Sequence, residues 1–264
     1  MQLKVADSKK IIIARPSQRD PAEAETLQIG AVVAAVHSPA SLALARKMRR
    51  GEVDFLELRV DAFAALGADQ THLLLRAAPR LSLPLIVTVR HFREGGAARL
   101  DARQRRDLFE QFLPHAALID VELRSAKELA SVLKSARERG AKIILSHHDF
   151  QKTPSREKLG QLANEARSAG ADIFKIAAKA ANPRELAVLF DFLASEAGEK
   201  KSRRAGSVSA TAPALSVMAM GEFGKISRLL FAKTGSVLNY GFLDKANASG
   251  QWPAKLLKKR IAEV

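Results

Sequence analysis

Ile143-Ile144-Leu145-Ser146-His147-His148-Asp149-Phe150 and, some twenty residues on, Asp172-Ile173-Phe174-Lys175-Ile176-Ala177 are the two stretches on which the fold turns. Each is a short apolar run, long enough for a buried strand and too short for a helix, that ends in chemically able side chains. A helical pattern opened by Thr153-Pro154 lies between them. Strand, helix and strand in that order make a parallel unit, so both strands end at the same rim. A histidine and a lysine delivered to one rim pair a proton carrier with an amine nucleophile, which points to chemistry on a carbonyl.

The same alternation extends in both directions. Strand-like runs are expected at Gly30–Val36, Val53–Val60, Leu85–Val89, Ala117–Leu123, Ile143–Ser146, Asp172–Ala177, Ala214–Met218 and Ser236–Tyr240. Helical patterns fill the gaps. Ser38-Pro39 opens the first, Ser125 and Glu128 form a capping box before Leu129, Val132 and Leu133, and Asn182-Pro183-Arg184-Glu185 caps a later one. Eight strands with intervening helices predict an α/β fold, a single-domain (β/α)8 TIM barrel. A doubly wound open sheet would share the alternation, but no glycine-rich phosphate loop follows the first strand. Residues 28–264 are expected to form the barrel, with 1–27 as an N-terminal extension and Ser195–Thr211, rich in Gly, Ser, Lys and Arg, as a long loop.

Composition narrows the class. There is no cysteine among the 264 residues, which excludes disulfides, thiolate catalysis and cysteine-ligated metals. No run approaches the ~20 apolar residues of a membrane span, and the polar N-terminus does not resemble a secretory signal, so a cytoplasmic protein without a membrane partner is expected. The net charge of +15 is spread over several elements, at Arg46-Lys47, Arg103-Arg105-Arg106, Lys200-Lys201 and Lys258-Lys259-Arg260. One tyrosine and one tryptophan leave few platforms for stacked bases. The basic residues therefore read as a solvated surface with no nucleic-acid partner, suited to attracting an anionic small molecule.

Polar groups gather where strands end. Glu57, Arg59 and Asp61 share one side of the second strand, Arg90 ends the third with Glu94 in the following loop, and Asp120 and Glu122 share a face of the fourth. Charges turned into an apolar barrel must pair with one another or with a ligand. His147 and His148 face opposite ways on a regular strand, so one at most acts at the rim. Lys175, flanked by Phe174 and Ile176, is a lysine buried in an apolar strand and the candidate amine; Lys179 is expected to be solvated.

These segments, with Gly95-Gly96, Lys152-Thr153-Pro154, Gly224-Lys225-Ile226-Ser227-Arg228-Leu229, Gly235-Ser236 and Gly250-Gln251, stand in the order found in type I 3-dehydroquinate dehydratases, which the chain resembles from about Gly30 to Gln251. The resemblance implies dehydration of 3-dehydroquinate through a Schiff base on Lys175. It makes His148 the acid and base, Glu94 its orienting acid, Arg228 and Gln251 the holders of the substrate carboxylate, and Glu57, Arg59 and Arg90 the partners of the ring hydroxyls. It implies a homodimer and neither a metal nor a diffusible cofactor. The chain departs from the family pattern at Asn247, which stands for its serine, and Ser249, for its proline, in the loop expected to close over substrate, and at Ala178-Lys179, where the family often has Val-Met. A class I aldolase would share the lysine, and a decayed basic binding protein would share the barrel.

Overall fold

A computed structural model describes residues 12–13, 25–202 and 212–264. Eight parallel strands build the wall: β1 Ala31–Val36, β2 Phe55–Arg59, β3 Leu85–Thr88, β4 Leu118–Glu122, β5 Lys142–Asp149, β6 Ile173–Lys179, β7 Ala214–Met220 and β8 Leu238–Phe242. Their order is β8-β1-β2-β3-β4-β5-β6-β7. The ladders run unbroken from β8 through β1 around to β7. Among the described residues no such ladder joins β7 to β8; one backbone bond and two serine hydroxyls bridge that seam instead. Val237 N donates to Leu215 O at 2.8 Å, Ser216 Oγ to Leu238 O at 2.7 Å, and Val217 N to Ser236 Oγ at 3.1 Å. The result is the expected (β/α)8 barrel.

Alternation along the strands sorts side chains into two layers. Val33, Phe55, Ile86, Leu118, Ile144 and Ile173 fill the interior, and Val32, Leu56, Val87, Ile119, Leu145 and Phe174 meet the helices. The helices are α1 Pro39–Ala45, α2 Val60–Ala64, α3 Ala68–Ala77, α4 Ala102–Phe112, α5 Ala130–Glu138, α6 Arg156–Ser168, α7 Pro183–Ser202, α8 Gly224–Thr234 and α9 Ala254–Glu263. Phe63, Phe109, Phe112, Phe192 and Phe231 are wholly buried between them and the wall. Truncating one such ring costs about 3–5 kcal/mol. At the barrel's other end, Ile12–Ile13 pairs antiparallel with Glu25–Thr26, and Ile13 joins the interior cluster with Ala31 and Ala117. Among the described residues no helix is long and apolar enough to cross a membrane.

Several local expectations are corrected. Ser125 caps nothing: it lies in a 3-10 turn and its Oγ accepts from Arg105 Nη1 at 3.0 Å, while α5 begins at Ala130 without a side-chain cap. The strand that was to carry Glu57, Arg59 and Asp61 ends at Arg59, and Asp61 stands in the first turn of α2. α6 starts two residues beyond Thr153-Pro154, capped by Ser155. The stretch from Ser195 to Ser202 is helix rather than loop, because its Ala, Glu and Lys residues outweigh a single glycine. The rest of that expected loop, 203–211, lies outside the described residues.

Candidate active site

The C-terminal ends of the strands hold the polar groups. Register sets Glu122 beside Ser146, Ser146 beside Lys175, and Lys175 beside Ser216, all turned inward on β4 to β7. β5 continues through the histidines in regular pairing with β6 as far as Asp149, and that regularity separates the two rings. His148 faces the interior, and His147 faces the helix layer, where Lys158 and Glu165 of α6 act on it.

Lys175 is 3% exposed, and its Nζ donates to Asp120 Oδ2 at 2.6 Å. Glu57 Oε1 stands 4.0 Å from Nζ, and the ring of Tyr240 faces it at 4.2 Å. Arg90 competes for the same acids: Nη2 lies 3.0 Å from Asp120 Oδ2, and Nη1 donates to Glu122 Oε1 at 3.1 Å and Ser146 Oγ at 2.7 Å. Ser146 in turn donates to Asp120 Oδ1 at 2.6 Å, and Thr88 to Glu57 Oε1 at 2.9 Å. Burial alone would push the Asp120 carboxyl up, but Arg90 and Lys175 together outweigh it and hold the group ionised, well below the usual range. The ammonium that donates to Asp120 is no nucleophile, so a proton must leave Nζ before attack.

His148 and Glu94 form a dyad. Glu94 sits in a 3-10 turn ended by Gly95 at φ +85°, a conformation glycine adopts without cost. Its Oε2 accepts from the His148 backbone N–H at 3.0 Å and lies 3.0 Å from Nδ1 of the same residue. Burial, reinforced by Arg90 and Lys175, keeps the His148 imidazole well below its ordinary pKa and therefore neutral. Burial pushes Glu94 the other way, up to about 7, against the pull of Arg90. An ionised Glu94 accepts Nδ1–H and leaves Nε2 with a free lone pair. A protonated Glu94 donates to Nδ1 instead and turns Nε2 into a donor. The dyad can thus present a base or an acid near neutral pH.

The remaining expected residues are reached differently. Arg59 is clamped on Asp61, Nε to Oδ1 at 2.9 Å and Nη2 to Oδ2 at 2.8 Å, and also donates to Gly95 O at 3.0 Å. Arg228 enters from α8, 1% exposed, with Nε on Tyr240 O at 2.8 Å and Nη1 on the carbonyls of Gly224, Gly250 and Ala219. No carboxylate among the described residues pairs with it, and burial lowers its pKa to about 10. Such a cation lacks its anion. Gln251, 8% exposed, accepts from the N–H groups of Asn247 and Ala248 at 3.0 and 3.3 Å, which fixes the loop and leaves its amide donor available. Lys179 is exposed at the end of β6.

Ser146, Thr88, Tyr240 and Arg105 were not foreseen at the site. Tyr240 carried a usable signal, being inward on β8 by alternation from Leu238. Arg105 carried none, because it stands on a helix outside the wall. Among the described residues no group of three His, Asp or Glu side chains is set to hold a metal ion.

This constellation has relatives. A family model described as type I 3-dehydroquinase matches residues 32–262. The 3-dehydroquinate dehydratase of Hydrogenobaculum sp. (strain Y04AAS1) is 32% identical over 204 residues, covering 77% of this chain and 85% of that protein. The 3-dehydroquinate dehydratase of Aquifex aeolicus (strain VF5) is 32% identical over 208 residues, 79% of this chain and 86% of its own. A solved type I 3-dehydroquinate dehydratase from Clostridium difficile, with covalently modified comenic acid, matches in fold with a TM-score of 0.77 at 24% identity, over 97% of this chain and 98% of that one. Coverage of this breadth, over strands and rim alike, means that the chain belongs to the type I 3-dehydroquinase family.

Proposed function

We propose that this protein is a hydro-lyase that converts 3-dehydroquinate to 3-dehydroshikimate by syn elimination through an imine on Lys175. What supports the proposal most is the buried amine of Lys175 held among Asp120, Glu57 and the Tyr240 face, at a rim shared with the His148–Glu94 dyad. Neutral Nζ adds to the substrate ketone, and loss of water from the carbinolamine leaves an iminium. That cation acidifies the adjacent carbon, and His148 Nε2 removes its proton to give an enamine. Collapse of the enamine expels the β-hydroxyl, which leaves as water with the proton His148 has carried. Water then hydrolyses the product imine and returns Lys175. One water is lost overall.

Arg228, lacking an anion of its own, and the free amide of Gln251 bind the substrate carboxylate. Glu57, Arg59 and Arg90 take the ring hydroxyls, and Glu94 orients His148. The chemistry calls for no metal and no diffusible cofactor. The proposal extends to a cytoplasmic homodimer acting in the shikimate pathway to aromatic amino acids, with residues 28–264 as one catalytic domain and 1–27 as an extension.

Incubation with 3-dehydroquinate and borohydride tests this. The expected result is a covalent adduct on the Lys175 peptide, with enone absorbance when reductant is left out. Lys175→Ala loses the label, and His148→Ala slows turnover by about 10²–10⁴-fold while still forming some imine. Folded protein giving neither adduct nor enone refutes the assignment, and cleavage of a sugar phosphate without an enone returns the aldolase alternative.

A further inference from the structure

Behind the wall, Arg105 of α4 is among the largest fully buried side chains of the protein, and the mechanism above makes no use of it. Its guanidinium reaches through to the strand ends. Nε and Nη2 donate to Val89 O at 3.0 and 2.9 Å, Nη1 donates to Ser125 Oγ at 3.0 Å, and Nη2 is in close contact with Glu122 Oε2. Val89 is the residue before Arg90, and Glu122 is an anion that Arg90 binds. One rigid fork therefore holds the backbone from which Arg90 springs and the carboxylate on which Arg90 rests.

We infer that Arg105 is a positioning residue for the reactive amine, acting from outside the barrel by fixing Arg90 between Glu122 and Asp120. The inference rests on the dehydratase assignment only for its kinetic consequence. The charges alternate without a break: Arg105, Glu122, Arg90, Asp120, Lys175. Each is nearly or wholly buried, so each must be matched by its neighbours. Glu122 Oε1 also accepts the His91 N–H at 2.9 Å, which extends the same anchor along the loop towards Glu94. If the fork is lost, Glu122 draws Arg90 away from Asp120, and Asp120 holds the Lys175 ammonium unshared. The unmasked charge of Glu122 also acts on Glu94 and favours its protonated form.

The test compares Arg105→Met and Arg105→Lys with wild type. Steady-state kinetics on 3-dehydroquinate are combined with NMR titration of the His148 imidazole and the amide shift of His91. For Arg105→Met, kcat is expected to fall by about 10²-fold, the cost of a misplaced catalytic group, with KM rising by a smaller factor because Arg228 and Gln251 still hold the carboxylate while Arg90 loosens on a ring hydroxyl. The titration shared by Glu94 and His148 moves to higher pH. Lysine keeps the charge but replaces the fork with a single ammonium, so Arg105→Lys restores the titration, still loses about tenfold in kcat, and shifts the His91 amide. Should the methionine variant fail to fold, the lysine variant decides. Wild-type kcat and an unmoved His91 amide in Arg105→Lys overturn the inference. Wild-type protein that turns over no 3-dehydroquinate sinks the dehydratase assignment instead, and the two NMR readouts then decide the role of Arg105 alone.

Discussion

Glu94→Gln is expected to make the protein more stable at alkaline pH and nearly inactive. In the folded protein, burial raises the Glu94 carboxyl from an ordinary value near 4.5 to about 7. A raised carboxyl pKa means that the folded state keeps a proton that the unfolded chain has released. Stability is then fully present below pH ~4.5 and declines as pH rises through about 7. A shift of that size corresponds to about 3 kcal/mol. Glutamine carries no charge to desolvate, and its oxygen can still accept the His148 N–H that Glu94 accepts at 3.0 Å.

The variant should therefore match wild type near pH 4 and exceed it above pH 8 by up to that amount, on the order of 5 °C in Tm for a chain of this size. Its kcat should fall about 10²-fold or more, because an amide holds neither proton state of the dyad. In wild type, kcat/KM should drop tenfold per pH unit below about 7, and that limb should vanish in the variant. Thermal unfolding from pH 4 to 9, with rate profiles on the same samples, measures both. Equal stability at pH 8, or a surviving acid limb, refutes the role given to Glu94.

Substitutions at two further positions probe the walls of the site. The Tyr240 hydroxyl is buried without a hydrogen-bond partner among the described residues, so Tyr240→Phe should leave stability unchanged or raise it by up to about 1 kcal/mol. Tyr240→Leu should lose the aromatic face beneath Lys175, about 0.5–2 kcal/mol by denaturant unfolding; equal stability in the two variants would contradict the cation–ring contact. Gly95→Ala places a methyl 2.9 Å from Phe150 Cζ at φ +85°. It should cost about 1–2 kcal/mol for the left-handed backbone and displace the ring stacked on His148, so an unchanged denaturation midpoint and kcat would count against that packing.

Much of this was legible in the chain, for identifiable reasons. Short apolar runs alternating with helical patterns were enough to place all eight strands, and alternation correctly separated His148 from His147. Where strand becomes helix the local signal failed. Val60 continues the apolar alternation of Leu56 and Leu58, yet it begins α2, and Arg59 and Asp61 meet across that junction rather than along one strand face. Ser125 and Glu128 have the spacing of a capping box, but Arg105 of a distant helix claims the serine. Strand-end arithmetic identifies inward charges and cannot reveal which opposite charge each will choose. The pairing of Lys175 with Asp120, and the arginine behind both, depend on contacts between elements far apart in sequence.

The seam between β7 and β8 has a mechanical consequence. His148 and Lys175 ride on β5 and β6, inside the longest continuous ladders of the wall. Arg228 and Gln251 ride on segments that follow β7 and β8, two strands joined by a single backbone bond and two serine hydroxyls rather than by a ladder. The barrel is thus closed by backbone ladders on one flank, and on the other in part by the very arginine that the proposal gives to the substrate, with Nε on Tyr240 O of β8 and Nη1 on Ala219 O of β7.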